Sequence, residues 1–320
     1  MGLGVEAAED SNEEATGTII LSAGKRVDVR TDARVVRARL RGRFRLDHQH
    51  VTQPVAVGDE VSLRINPDGS GLITAVHERR NWLSRRAAGR HGGKVQVMVA
   101  NINQVWIVQS AALPRPSPGF IDRILVTAGV QRIPVGIIFN KMDLTTGSIL
   151  DLIHKLRSRY MRLGYDVLLT SALMSEGIES LRSALTQRMS VVTGPSGVGK
   201  SSLLNRVDPS LNLREGKVSL KTRRGCHTTA YTTLLPLSSG GFVVDTPGIR
   251  EFGVLDLEPW ELAHYFPEFK LYVHQCHYAA CTHSHEPGCT VKEAVAKDSI
   301  TRARYRSYLN ILDSITPKGQ

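Results

Sequence analysis

The chain has 320 residues, with 41 Lys and Arg against 30 Asp and Glu, and a formal charge of +11. That length accommodates two or three domains with packed cores, and the cationic excess points to a polyanionic partner, nucleic acid or a membrane surface. No apolar run approaches the roughly 18 residues needed to cross a bilayer, and a content of 4 Cys argues against a disulfide scaffold.

Residues 1–16 carry Glu6, Glu9, Asp10, Glu13 and Glu14 before the first cation, Lys25. They lack a basic-then-apolar leader and read as a disordered acidic tail of a cytoplasmic protein.

Residues 17–92 read as short strands separated by turns, which suits a small all-β barrel. "PDG" between two alternating apolar runs is a hairpin signal, because Gly supplies positive φ cheaply. "RARLRGRFR" sets Arg37, Arg39, Arg41, Arg43 and Arg45 at period two, so on a strand they share one face. Like charges so aligned repel one another, and a phosphate backbone relieves that repulsion. The bland alternative is a solvated face. "RRAAGRHGGK" at 85–94 adds a basic loop.

Residues 93–255 alternate apolar runs ("QVWIVQS", "VGIIFN", "DVLLTS", "SVVTG", "GFVVDTPG") with helical stretches such as "SILDLIHKLRSRYMRLG". This predicts α/β architecture with a largely parallel sheet covered on both faces. "LPRPSPG" at 113–119 reads as a loop inside this domain.

"NKMD" comes first among the motifs. A carboxylate at Asp143 can accept two hydrogen bonds from guanine N1–H and its exocyclic amine, which adenine cannot offer. Asn140 braces neighbouring loops and the Lys141 stem lies over the base. "TSA" at 170–172 follows, with Ser171 and Ala172 in the loop that reads guanine O6. Next, Gly194, Gly199, Lys200 and Ser201 satisfy G-x-x-x-x-G-K-[ST] after an apolar strand. Backbone N–H groups of such a loop cradle phosphate oxygens, the lysine reaches the β- and γ-phosphates, and the serine hydroxyl holds Mg²⁺. Pro195, Ser196, Gly197, Val198 and Ser202 complete the expected nucleotide contacts.

"GCHTT" at 225–229 lies where a γ-phosphate sensor belongs. Thr228 or Thr229 can bind Mg²⁺, and His227 is the nearest group to position a water. Asp245 and Gly248 form D-x-x-G: the carboxylate is a second anchor for Mg²⁺ and the Gly248 N–H faces the γ-phosphate. A glutamine often follows that glycine to orient water; here the residue is Ile249, so the site is incomplete alone or is completed by another residue. The order is rotated, base-reading motifs first and phosphate loop second. Rotation is tolerable where the original termini lay close together.

Residues 256–320 hold Cys276, Cys281 and Cys289 with His277, His283 and His285 among them, then a mostly helix-forming stretch. Three thiolates and one imidazole suit a closed, structural, tetrahedral Zn²⁺ site; spacing does not choose the histidine. The metal would stabilise a block too small to build a large core.

"GPSGVGKSSLLN", "DTPGIREFG", the rotated order and the Cys cluster resemble the circularly permuted ribosome-assembly GTPases of the small-ribosomal-subunit-dependent GTPase A family, over about residues 17–315. The resemblance implies an OB-fold barrel, a permuted GTPase domain and a zinc domain. It implies GTP hydrolysis stimulated by the small ribosomal subunit during late maturation, contact with rRNA, and a monomer. It selects His283 as the fourth zinc ligand, Thr229 as the Mg²⁺ threonine, and His227 beside Lys200 and Thr229 in catalysis. Cys226 stands where the family more often has a basic residue. The competing reading is an RNA-binding zinc protein that uses guanine nucleotide as a conformational switch outside the ribosome.

Overall fold

The computed structural model describes residues 13–24, 26–40, 54–86, 95–215, 232–245 and 257–316, without the side chains at 86, 95 and 245. Arg41, Arg43, Arg45, Cys226, His227, Thr228, Thr229 and Gly248 lie outside the described residues.

The chain opens with β1 (Glu13–Ala23), β2 (Arg26–Arg30), β3 (Val35–Leu40), β4 (Glu60–Ile65) and β5 (Gly71–Val76). They pair in the cyclic order β1-β2-β3-β5-β4 with β4 returning to β1, a closed barrel. Alternation explains the strands: Val36 and Ala38 of β3 are buried while Arg37 and Arg39 face solvent. The barrel core is Ile19, Val27, Val29, Val61, Leu63 and Ile73 with their neighbours. The "PDG" turn joins β4 to β5 with Gly69 at φ 79°. β1 starts at Glu13, inside the stretch read as a tail, because residues 13–18 pair residue for residue with β4 from Ile65 back to Glu60.

The hairpin β6 (Trp82–Arg86) and β7 (Val95–Ala100) crosses position 92, and its Leu83 and Val99 join the larger apolar cluster that follows. That cluster belongs to β8 (Gln104–Ser110), α1 (Pro118–Val130), β9 (Val135–Asn140), α2 (Gly147–Arg162), β10 (Asp166–Leu169), α3 (Ile178–Leu185), β11 (Met189–Thr193), α4 (Lys200–Val207), β12 (Thr233–Pro236) and β13 (Phe242–Asp245). The sheet order is β10-β9-β8-β11-β13-β12, parallel except for β12. Every residue of β8 is buried, as expected of a strand covered on both faces. Val105 and Ile107 face α1 and α2, and Trp106 and Val108 face α3 and α4. β1 also pairs with β12 at Leu21↔Thr233, so barrel and sheet are continuous.

Pro118 at the first helical position and the Ser117 cap start α1, which makes 113–117 a loop within this unit. Gly164 at φ 89° follows the end of α2.

The C-terminal block has short 3₁₀ turns, α5 (Thr290–Ala296) and α6 (Arg302–Ile315) around Phe266, Phe269, Tyr308 and Ile311. The stretch read as mostly helix-forming is two helices, parted at Asp298, which adopts φ 57°. Val126 of α1 belongs to this same cluster, so the block is seated on the sheet domain.

Candidate nucleotide site and metal centre

The parallel strands carry the predicted nucleotide residues at their carboxyl ends, where α/β sheets bind ligands. Asn140 closes β9, Thr193 closes β11 immediately before the phosphate loop, and Asp245 closes β13, the neighbour of β11. Three segments far apart in sequence meet there. Asn140 Nδ2 donates to the carbonyl of Val198 at 2.9 Å. Its Oδ1 accepts from Thr170 Oγ1 at 3.1 Å and from the Ala172 N–H at 3.3 Å. One buried amide therefore ties the NKMD turn, the TSA loop and the phosphate loop together.

Lys141 sits at φ 67°, which turns the chain sharply out of β9. Its ammonium donates to the carbonyls of Gly197 at 2.6 Å and Leu113 at 2.8 Å. Burial lowers its pKa, with Asp143 acting in the opposite direction. Asp143 accepts from Ser171 Oγ at 2.5 Å, and Ser171 Oγ accepts in turn from the Met174 N–H at 3.1 Å.

The phosphate loop needs its glycines for close approach. A Cβ on Gly194 would lie 2.2 Å from the Val108 carbonyl oxygen. One on Gly199, at φ 93°, would lie 2.4 Å from Asn140 Nδ2. Lys200 Nζ donates to the carbonyls of Gly194 at 2.8 Å and Pro195 at 2.9 Å. Ser201 and Ser202 occupy the first turn of α4, and the N–H groups of a helix's first turn favour anions. The turn at Ser196 and Gly197 and the buried Val198 complete the cradle. A cleft of about 570 Å³ lined by Trp106, Tyr165 and Arg188 lies at the opposite, amino ends of the strands and contains none of these residues.

In the C-terminal block, Cys276, Cys281, His283 and Cys289 place their ligand atoms within 4.8 Å of one another. Cys276 Sγ lies 3.9 Å from Cys289 Sγ and 3.5 Å from His283 Nδ1, and that nitrogen lies 3.3 Å from Cys289 Sγ. Zn–S bonds of about 2.3 Å and Zn–N bonds of about 2.0 Å imply tetrahedral edges of about 3.5–3.8 Å, so the donor set fits zinc. His277 and His285 are exposed and outside the cluster. The supports are backbone carbonyls: Tyr305 OH donates to His283 O at 2.8 Å and Tyr308 OH to Thr282 O at 2.7 Å. Burial pushes the Cys281 thiol up to about 12 and raises that of Cys289. Burial lowers the His283 imidazole, keeping it neutral as a ligand must be.

The structure brings together Asn140, Lys141, Asp143, Ser171, Ala172 and residues 194–202, and separately the four metal-ligand candidates. It adds contacts the motifs did not contain. The Leu113 carbonyl beneath Lys141 has no sequence signal, since any residue offers a carbonyl. Thr170, which holds Asn140, stood inside the quoted "TSA".

The profile described as RsgA GTPase matches residues 76–255, and that described as RsgA N-terminal domain matches residues 16–73. A Bacteroides fragilis protein, "Small ribosomal subunit biogenesis GTPase RsgA", is 37% identical over 298 residues, 93% of this chain and 96% of that protein. A Phocaeicola vulgatus protein of the same name is 38% identical over the same shares. The crystal structure of YjeQ from Thermotoga maritima aligns with TM-score 0.78 at 34% identity over 96% of this chain and all of that one. That of YloQ, a circularly permuted GTPase, aligns with TM-score 0.73 at 28% identity over 99% of both chains.

Proposed function

The chain belongs to the RsgA GTPase family, and on that premise we propose that it binds the small ribosomal subunit and hydrolyses GTP, stimulated by that subunit, during late subunit maturation. The observation that carries this reading is the Asn140 amide, which joins the base-reading turn, the TSA loop and the phosphate loop at the carboxyl end of the sheet despite their rotated order.

In this reading Asp143 accepts the two guanine donors and Lys141 covers the base. Ala172 N–H serves guanine O6. N–H groups of residues 194–202 enclose the phosphates, and Lys200 reaches the β- and γ-phosphates. Ser201, Thr229 and Asp245 would hold a magnesium ion, which when bound with GTP would supply charge neutralisation for the phosphates. His227 orients the attacking water, since Ile249 cannot. The family's use of GTP with Mg²⁺ and the donor set of the Cys₃His cluster support the two metals. With four protein ligands the zinc is structural and leaves no place for water.

Contact with rRNA is supported by the exposed Arg37 and Arg39 on β3. The domain division at 17–92, 93–255 and 256–320 is part of the same reading; separate barrel, sheet and C-terminal cores support three units, while the β6–β7 hairpin, with Leu83 in the sheet-domain core, favours a first boundary before Trp82 rather than at 92. Action as a monomer in the cytoplasm rests on the family resemblance. No helix among the described residues is long and apolar enough to cross a membrane.

The test is steady-state GTP hydrolysis with and without purified small subunits, with His227→Ala alongside. The expected result is strong stimulation that the variant loses while nucleotide and subunit binding remain. Equal turnover with and without subunits overturns the ribosomal role.

A further inference from the structure

The segment after α4 folds back along that helix to its first turn. Asp208 caps a 3₁₀ turn at Pro209–Leu211, and Asn212 at φ 44° reverses the chain. Leu211 and Leu213 pack against the apolar cluster beneath α4. Asn205 then holds the returning strand as a second backbone would. Its Nδ2 donates to Leu213 O at 2.9 Å and its Oδ1 accepts from Leu213 N at 2.8 Å. This delivers Glu215 to the phosphate end of the helix. Glu215 Oε2 accepts from Ser202 Oγ at 2.7 Å and Oε1 accepts from Asn205 Nδ2 at 3.1 Å. Bonds from Ser202 and Asn205 hold this carboxyl below the usual carboxylate range.

We propose that Glu215 competes with the nucleotide's phosphates for the first turn of α4. Two facts set the two anions against each other. A serine hydroxyl has one proton, so while Ser202 Oγ donates to Glu215 it cannot donate to a phosphate oxygen. The first turn of a helix attracts one anion through its N–H groups and dipole, and a second anion beside it is repelled. Glu215 is therefore a positioning residue that weakens nucleotide binding and speeds release of GDP, by retaking the Ser202 hydroxyl as the phosphates leave. The inference rests on the guanine-nucleotide reading of the site and adds to it a built-in competitor.

The experiment measures GDP and guanosine binding to the full zinc-loaded chain for the wild type, Glu215→Gln and Glu215→Ala. Guanosine has the base and no phosphate. Both variants are expected to tighten GDP, Glu215→Ala by about three- to tenfold through loss of the acceptor and its charge, and Glu215→Gln by less, because its amide oxygen still accepts from Ser202. Guanosine affinity should stay within about twofold, because the base site is untouched. GDP affinity that is unchanged or weakened in both variants overturns the proposal, as does an equal gain for guanosine. A wild-type chain that binds neither compound overturns the nucleotide reading itself, and the proposal with it.

Discussion

Arg304 of α6 and Asp122 of α1 form an ion pair that is 3% and 0% exposed, and it joins the zinc-bearing block to the nucleotide-binding sheet. Arg304 also donates to Glu268 through Nε at 2.5 Å and Nη2 at 3.1 Å, and its guanidinium lies 4.5 Å from the Phe266 ring centroid. Tyr160 OH of α2 donates to the same Asp122 oxygen at 2.9 Å. Burial alone would lower the Arg304 pKa, but the Glu268 hydrogen bond and the charges of Asp122 and Glu268 raise it. The arginine is thus always charged, and the block is fastened by a buried cation paired with two carboxylates.

Removing one member of such a buried pair leaves the others uncompensated. Arg304→Met is expected to cost about 3–5 kcal/mol of stability. Arg304→Met with Asp122→Asn should cost less than the sum of the single changes, because the more deeply buried of the two stranded carboxylates is gone and only Glu268 remains. Denaturant unfolding of the zinc-loaded proteins measures both. A cost below about 1 kcal/mol for Arg304→Met would show that water reaches the pair.

In the proposed reading, base choice depends on the Asp143 carboxylate. Asp143→Asn removes a charge-assisted bidentate acceptor and should weaken GDP binding by at least about tenfold. The new amide N–H₂ faces an acceptor well, so the variant should gain affinity for a xanthine nucleotide, whose 2-position is a carbonyl. Competition binding with GDP and xanthosine diphosphate checks this. GDP affinity left intact would remove Asp143 from the base site.

Gly194→Ala places a methyl 2.2 Å from the Val108 carbonyl oxygen, a backbone atom that cannot swing aside. The phosphate loop must shift, and nucleotide affinity should fall at least about tenfold. The zinc content of the purified protein should be unchanged, because Gly194 directly follows β11 of the sheet and the four candidate metal ligands lie around a separate apolar core. Full GDP affinity in this variant would mean that the loop is not the cradle.

Zinc should bind with release of protons. Burial keeps the Cys281 and Cys289 thiols protonated in the metal-free protein, Cys281 up to about 12. Binding needs the thiolates, so affinity rises with pH through the neutral range and falls as acid restores the thiols, by up to about tenfold per released proton per pH unit. Calorimetry in buffers of different ionisation enthalpy counts those protons. Chelation, or Cys281→Ser, should unfold the C-terminal block and expose Phe266 and Tyr308. A block that stays protected from protease after complete zinc removal would contradict a folding role for the metal.

Much of this protein is local in character and was legible in its sequence. Alternation marked the barrel strands, and continuous apolar runs marked the parallel sheet. Spacing alone marked the phosphate loop, NKMD and the three cysteines, because each of those chemistries is built from residues adjacent in the chain. Spacing could not choose among His277, His283 and His285, since that choice depends on which imidazole the fold buries. Nor could it show that Glu13 begins a strand: its acidic surroundings argue for a tail, and the pairing partner at Ile65 lies 52 positions further on. The same holds for Arg304 with Asp122 and for Glu215 with Ser202. A buried charge or an exposed carboxylate has no periodicity of its own, and its role is set by what the folded chain carries to within about 3 Å of it.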